Sequence, residues 1–153
     1  MISRPTTEQI LLDCCRELTV NVLPSLTDPT AQVSVIMVEA VLRNTAVRAA
    51  HEVAWMREET AEIEAYAHAV AGQAPGTASL EAALAALAGA PRDSLHLDDV
   101  VETYCRAGNA LSAALETAVA GGLAALVQRG EEILDVRSGR ETEVMAGWSP
   151  TGR

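Results

Sequence analysis

The sequence predicts an all-α protein, an up-down bundle of about four helices with one very long member spanning about residues 29–71. Three observations carry that prediction. Asp28-Pro29 is a helix start, because Asp28 can accept from the unpaired first-turn N–H groups and Pro29 fits a turn where no amide partner is needed. No Gly or Pro follows until Gly72 and Pro75. Between them the column Val35, Leu42, Ala49, Met56, Ile63, Val70 is apolar throughout, with Ala46, Val53, Thr60 and Ala67 beside it, which is the seam of a core-facing helix. Such a helix would be roughly 63 Å long, against a diameter of roughly 38 Å for an ordinary globule of this chain length. It must therefore bend, project or be covered by a second subunit.

The other elements follow in order. Thr6 and Gln9 form a capping-box pair, and Leu11, Cys14 or Cys15, Leu18 and Val22 give one apolar stripe up to Pro24. The short link through Pro24, Asp28 and Pro29 implies an antiparallel neighbour. After the break at Gly72 to Thr77, Leu80, Leu84 and Leu87 mark a short helix that stops at Gly89. Asp98 is the expected cap of the last helix, with Tyr104, Gly108, Leu111, Leu115, Val119 and Gly122 on one side. Gly108 and Gly122 are read as points of close helix approach, since glycine inside a helix costs about 1 kcal/mol against alanine. Gly121-Gly122 kinks or ends that helix, and Leu123 to Leu134 carry it to about residue 136. The expected domain is thus 1–136, with 137–153 an extended or disordered tail in which Trp148 is able to dock.

Composition limits the function classes. With 28 alanines and no Phe, most buried contacts must be small or aliphatic. A formal charge of -10 opposes binding to nucleic acid or to anionic membrane surfaces. All 11 basic residues are Arg, so lysine Schiff-base and P-loop chemistry is excluded. Three cysteines and no secretory apolar segment at the start point to a reducing cytoplasm, and no apolar run reaches the length of a membrane span.

A second face of the long helix carries the functional candidates. Its first half is apolar, and Val33, Met37, Val41 and Val47 are read as interface residues, through which the protein is expected to form a homodimer. Farther along stand Asn44, Arg48, His51, Glu52 and Trp55. They read either as a ligand pocket, with Arg48 holding an anion such as that of an acyl-CoA, His51 moving a proton and Trp55 as wall, or as the polar rim of an interface in which Arg48 and Glu52 merely pair.

Metal chemistry has little to stand on. Glu62, Glu64 and His68 lack the Glu-x-x-His spacing of bundle di-metal sites, so neither metal nor cofactor is expected. The cysteines read as small buried hydrophobes. No Gly-x-Ser-x-Gly elbow or phosphate-cradling glycine loop occurs, so no catalytic residue is assigned. The acidic run from Arg57 to Glu64 reads as a solvated face or as a dock for a basic partner.

Two segments, Arg4-Pro-Thr-Thr-Glu-Gln-Ile-Leu-Leu-Asp with Val22-Leu23-Pro24, and Val38 to Glu52, resemble a family of small, all-helical bacterial proteins of uncharacterised function. Its members are often encoded beside aminoglycoside-phosphotransferase-like kinases and acyl-CoA dehydrogenases. The likeness covers about the first third of the chain and brings no catalytic residues. It implies an accessory role, with an acyl-CoA dehydrogenase or kinase-like enzyme as partner. The function expected from the sequence is therefore a non-enzymatic helical accessory or interaction protein.

Overall fold

The start and stop signals read from the sequence set most of the helix boundaries in the computed structural model, which describes residues 4–74 and 77–145. There are five α-helices: α1 (Thr7–Glu17), α2 (Pro29–Gln73), α3 (Ala78–Ala88), α4 (Leu97–Ala120) and α5 (Ala124–Met145), and no strand among the described residues. The all-α class and the unbroken long helix stand as expected. The described chain gathers into two compact units, one from residues up to Glu52 together with those from Gly139 onward, the other from Val53–Ser138.

In the first unit, α1 opens on the expected capping box, with Gln9 N donating to Thr6 Oγ1 (3.2 Å) and Thr6 N to Gln9 Oε1 (2.9 Å). The α-helix does not reach Pro24. It passes at Leu18–Val22 into a π-turn, in which Leu23 N–H reaches back to Leu18 O, and then into a 3₁₀ turn at Leu23–Ser25. The cause is local: Pro24 supplies no N–H, and the Thr19 hydroxyl donates to Cys15 O and Arg16 O, competing for the carbonyls of the ladder. Asp28 caps α2 as expected, its carboxylate accepting from Thr30 N (3.1 Å) and Ala31 N (3.2 Å). Cys15 and Ala46 are buried, whereas Cys14 is exposed.

The second unit holds the larger core. Ile63, Tyr66, Ala67 and Val70 of α2 are fully buried, as are Leu80 and Leu87 of α3 and Ile133 of α5. From α4 come Ala107, Ala110, Leu111, Ala114 and Ala118. This corrects the expected face of α4 in part: Leu111 is buried as expected, but small residues surround it, Leu115 and Tyr104 flank them, and Val119 is exposed. An alanine stripe lets helices approach closely, so the larger side chains are displaced to its sides.

The glycines need a parallel correction. A Cβ on Gly108 or Gly122 would meet nothing within 4 Å, but one on Gly130 would lie 2.3 Å from Leu115 Cδ2 and 2.8 Å from Tyr66 Oη. Gly130 is therefore the point of close approach. Gly122 acts as a helix stop instead, with φ +65°. Leu123 N–H pairs with Ala118 O (2.9 Å) and Gly122 N–H with Val119 O (3.1 Å), the Schellman pattern that only glycine adopts cheaply. So α4 ends at Ala120 and a separate α5 follows, giving five helices rather than four.

Two further expectations change. Asp98 is not the cap of α4; His96 occupies that position, and Asp98 and Asp99 lie in the first turn. The tail is not extended from Arg137, because α5 continues to Met145. Trp148 lies outside the described residues.

Candidate functional site

The exposed side of α2 in the first unit carries the residues expected at an interface. Val33, Met37 and Val41 recur at four-residue spacing and are 52%, 54% and 58% exposed, with Val38 beside them at 50%. Val47 is half-buried within its own unit. Of the expected ligand residues, Arg48 is engaged by Glu52 (Nε to Oε2, 3.1 Å) and His51 is exposed. Asn44 is half-buried, with an Oδ1 that finds no hydrogen-bond partner among the described residues. Trp55, half-buried, belongs to the second unit. The Arg48–Glu52 contact is an i,i+4 surface pair, with the Arg48 side chain 63% exposed.

The second unit contains a charged cluster that the sequence reading missed. Glu59 is only 4% exposed; its Oε1 accepts from Tyr104 Oη (3.0 Å) and from Arg137 (2.5 Å). The Arg137 guanidinium also sits 5.2 Å from the centroid of the Tyr104 ring. Burial, and next the Glu59 charge, push the Tyr104 hydroxyl above its ordinary pKa. One half of this was visible in the sequence: Glu59 lies at helical spacing on the row Ile63, Tyr66, Val70, an acid in an apolar column. The acidic run from Arg57 to Glu64 is therefore not simply a solvated face.

Glu64 is engaged as well. Both Arg92 Nη atoms donate to its two carboxylate oxygens at 2.8 Å, and Arg92 also reaches Leu87 O at the end of α3. The hydrogen bond from Arg92, its largest cause, holds the Glu64 carboxyl below the ordinary 4.5. A depressed pKa contributes stability that is present above the unfolded value and is lost as pH falls through the folded one. The stability gap between wild type and Glu64→Gln in urea titrations should therefore be full near neutrality and close as pH drops below 4.5. A gap that widens on acidification would refute this assignment of the pair.

Beside the pair, a cleft of about 120 Å³ opens between α2, the loop after α3 and α4. Arg57, Thr60, Ala61 and Glu64 of α2 form one wall, and none of the five residues expected to bind a ligand lines it. Among the described residues no three His, Cys, Asp or Glu side chains are grouped to hold a metal ion, and no helix is long and apolar enough to cross a membrane. The cysteines divide: Cys14 and Cys105 are exposed, against expectation, while burial and the nearby Glu39 raise the pKa of Cys15, whose thiol donates to Glu39 O (3.6 Å). Comparison with family models, with curated proteins and with solved structures finds no match for this chain.

Proposed function

We propose that this chain is a non-enzymatic interaction protein that pairs with a second copy of itself through the exposed face of α2. The observation that carries the reading is the row Val33, Met37, Val41, more than half exposed at each position. A contiguous apolar row on a surface is the usual mark of a binding face. Its charge environment favours a second copy as occupant. From Leu18 to Val38, Asp28 is the only ionisable residue, and its carboxylate is occupied in capping α2. Elsewhere two copies of a chain of charge -10 would press acid against acid; here they need not.

Sedimentation velocity at micromolar concentration tests this. The wild type is expected to sediment as a dimer, and Met37→Glu with Val41→Glu should weaken association by at least about tenfold, by burying charge in an apolar contact. A wild-type monomer overturns the proposal. An acyl-CoA dehydrogenase or kinase-like partner, the kind the family resemblance implies, would dock on the assembled dimer. The pocket reading of Asn44, Arg48, His51, Glu52 and Trp55 draws less support because Arg48 is already paired.

A further inference from the structure

The cleft beside the Glu64–Arg92 pair lies wholly within the second unit, whereas the row proposed for self-association belongs to the first. Its polar groups are unequal. Arg92 is spent, with both Nη atoms on Glu64 and further contacts to Leu87 O. Arg57, an exposed residue of the α2 wall, donates from Nη1 to Ser94 O at 3.2 Å, and a guanidinium has five N–H donors. Three residues on, and on the same face, stands Thr60. The hydroxyls of Thr45, Thr103 and Thr117 each donate to the carbonyl four residues back. Among the described residues that of Thr60 has no such bond, which leaves a donor on the cleft wall beside Arg57.

Of the other lining residues, Thr103 and Ser94 are polar but engaged: the Thr103 hydroxyl donates to Asp99 O, and Ser94 Oγ accepts from His96 N. Ala61, Pro91 and Val100 line the cleft without polar side-chain atoms. Two arginines against one glutamate leave the lining with one surplus positive charge, in a chain whose formal charge is -10. The volume of about 120 Å³ is that of about four waters, which suits a compact group of a few heavy atoms. We propose that this cleft binds a short aliphatic carboxylate, with Arg57 and Thr60 donating to the carboxylate and the carbon stub lying on Ala61, Pro91 and Val100. The same chemistry could be offered by a free short-chain acid or by the C-terminus of a peptide ending in a small apolar residue.

Titration calorimetry and amide chemical-shift mapping on the full chain test this with propionate and butyrate as probes, and with butyramide and inorganic phosphate as controls. Saturable binding of the acids is expected, with shifts confined to α2 around Thr60, the loop after α3 and the start of α4. Arg57→Ala should weaken it by at least about tenfold, as expected for loss of a charged hydrogen bond, and Thr60→Val by several-fold. Ala61→Leu, which fills the cleft, should abolish it. Arg57 and Thr60 lie outside the core, and unchanged urea midpoints will show that their variants fold. The inference is overturned if no acid binds saturably, if butyramide binds equally well, if phosphate binds more tightly than propionate, or if Arg57→Ala changes nothing. A peptide with a free terminus, compared with its amide, tells the two sources apart, and binding of either source supports the assignment. Because the interface variants at Met37 and Val41 leave this cleft intact, the dimer reading and this one fail separately.

Discussion

Replacing Arg137 by alanine should destabilise the protein by about 3–5 kcal/mol, the usual consequence of leaving one partner of a buried ion pair without the other. Glu59 is 4% exposed, so its carboxylate cannot turn to water when the guanidinium is gone, although Tyr104 Oη would still donate to it. The double variant Arg137→Met with Glu59→Gln should recover much of the loss, because it removes the uncompensated charge rather than the packing. Urea unfolding followed by circular dichroism provides the comparison. If Arg137→Ala unfolds within about 0.5 kcal/mol of wild type, as an exposed substitution would, the cluster contributes nothing.

Gly130→Ala should also destabilise, against the ordinary trend of helices. The substitution gains about 1 kcal/mol of helix propensity. The new methyl, however, would lie 2.3 Å from Leu115 Cδ2 and 2.8 Å from Tyr66 Oη. Leu115 is half-buried and can turn away, but Tyr66 is 0% exposed and its ring is held on all sides. Overpacking of this kind costs about 1–3 kcal/mol, so the crowding wins. Gly108→Ala is the matched control: nothing stands within 4 Å of its new methyl, and a gain of up to about 1 kcal/mol is expected. Two urea midpoints displaced in the same direction would contradict the packing described for α5.

How far the fold could be read in advance depended on where the controlling interaction lay. Thr6 with Gln9, Asp28 with Pro29, and Gly89 act within a turn of themselves, so their identities were enough to set helix ends. The π-turn before Pro24 also has a local cause, but Leu18 and Val22 continue the apolar stripe and mask it. Beyond Arg137 the chain shows no apolar period, yet α5 persists to Met145. Arg and Glu are good helix formers, and extending a helix already nucleated at Ala124 costs little even when few of its side chains pack.

The candidate sites divide in the same way. The apolar row Val33, Met37, Val41 was legible because a single helix displays it, and the pairing of Arg48 with Glu52 because they stand four residues apart. Glu59 was visible only as an anomaly, an acid in the column of Ile63 and Tyr66. Tyr104 and Arg137, which donate to it, lie 45 and 78 residues away, and the cleft beside Arg57 needs a loop and a second helix as well as α2. No periodicity connects residues that only tertiary folding brings together.

The separation of Glu59 from Arg137 has a bearing on synthesis. While the ribosome is still decoding α4, the nascent chain already presents a carboxylate whose cation has not been made. The Val53–Ser138 unit can close around its ion pair only after α5 emerges, so a stalled chain halted before Arg137 would display to chaperones and proteases the faces that α2 and α4 otherwise bury against α5.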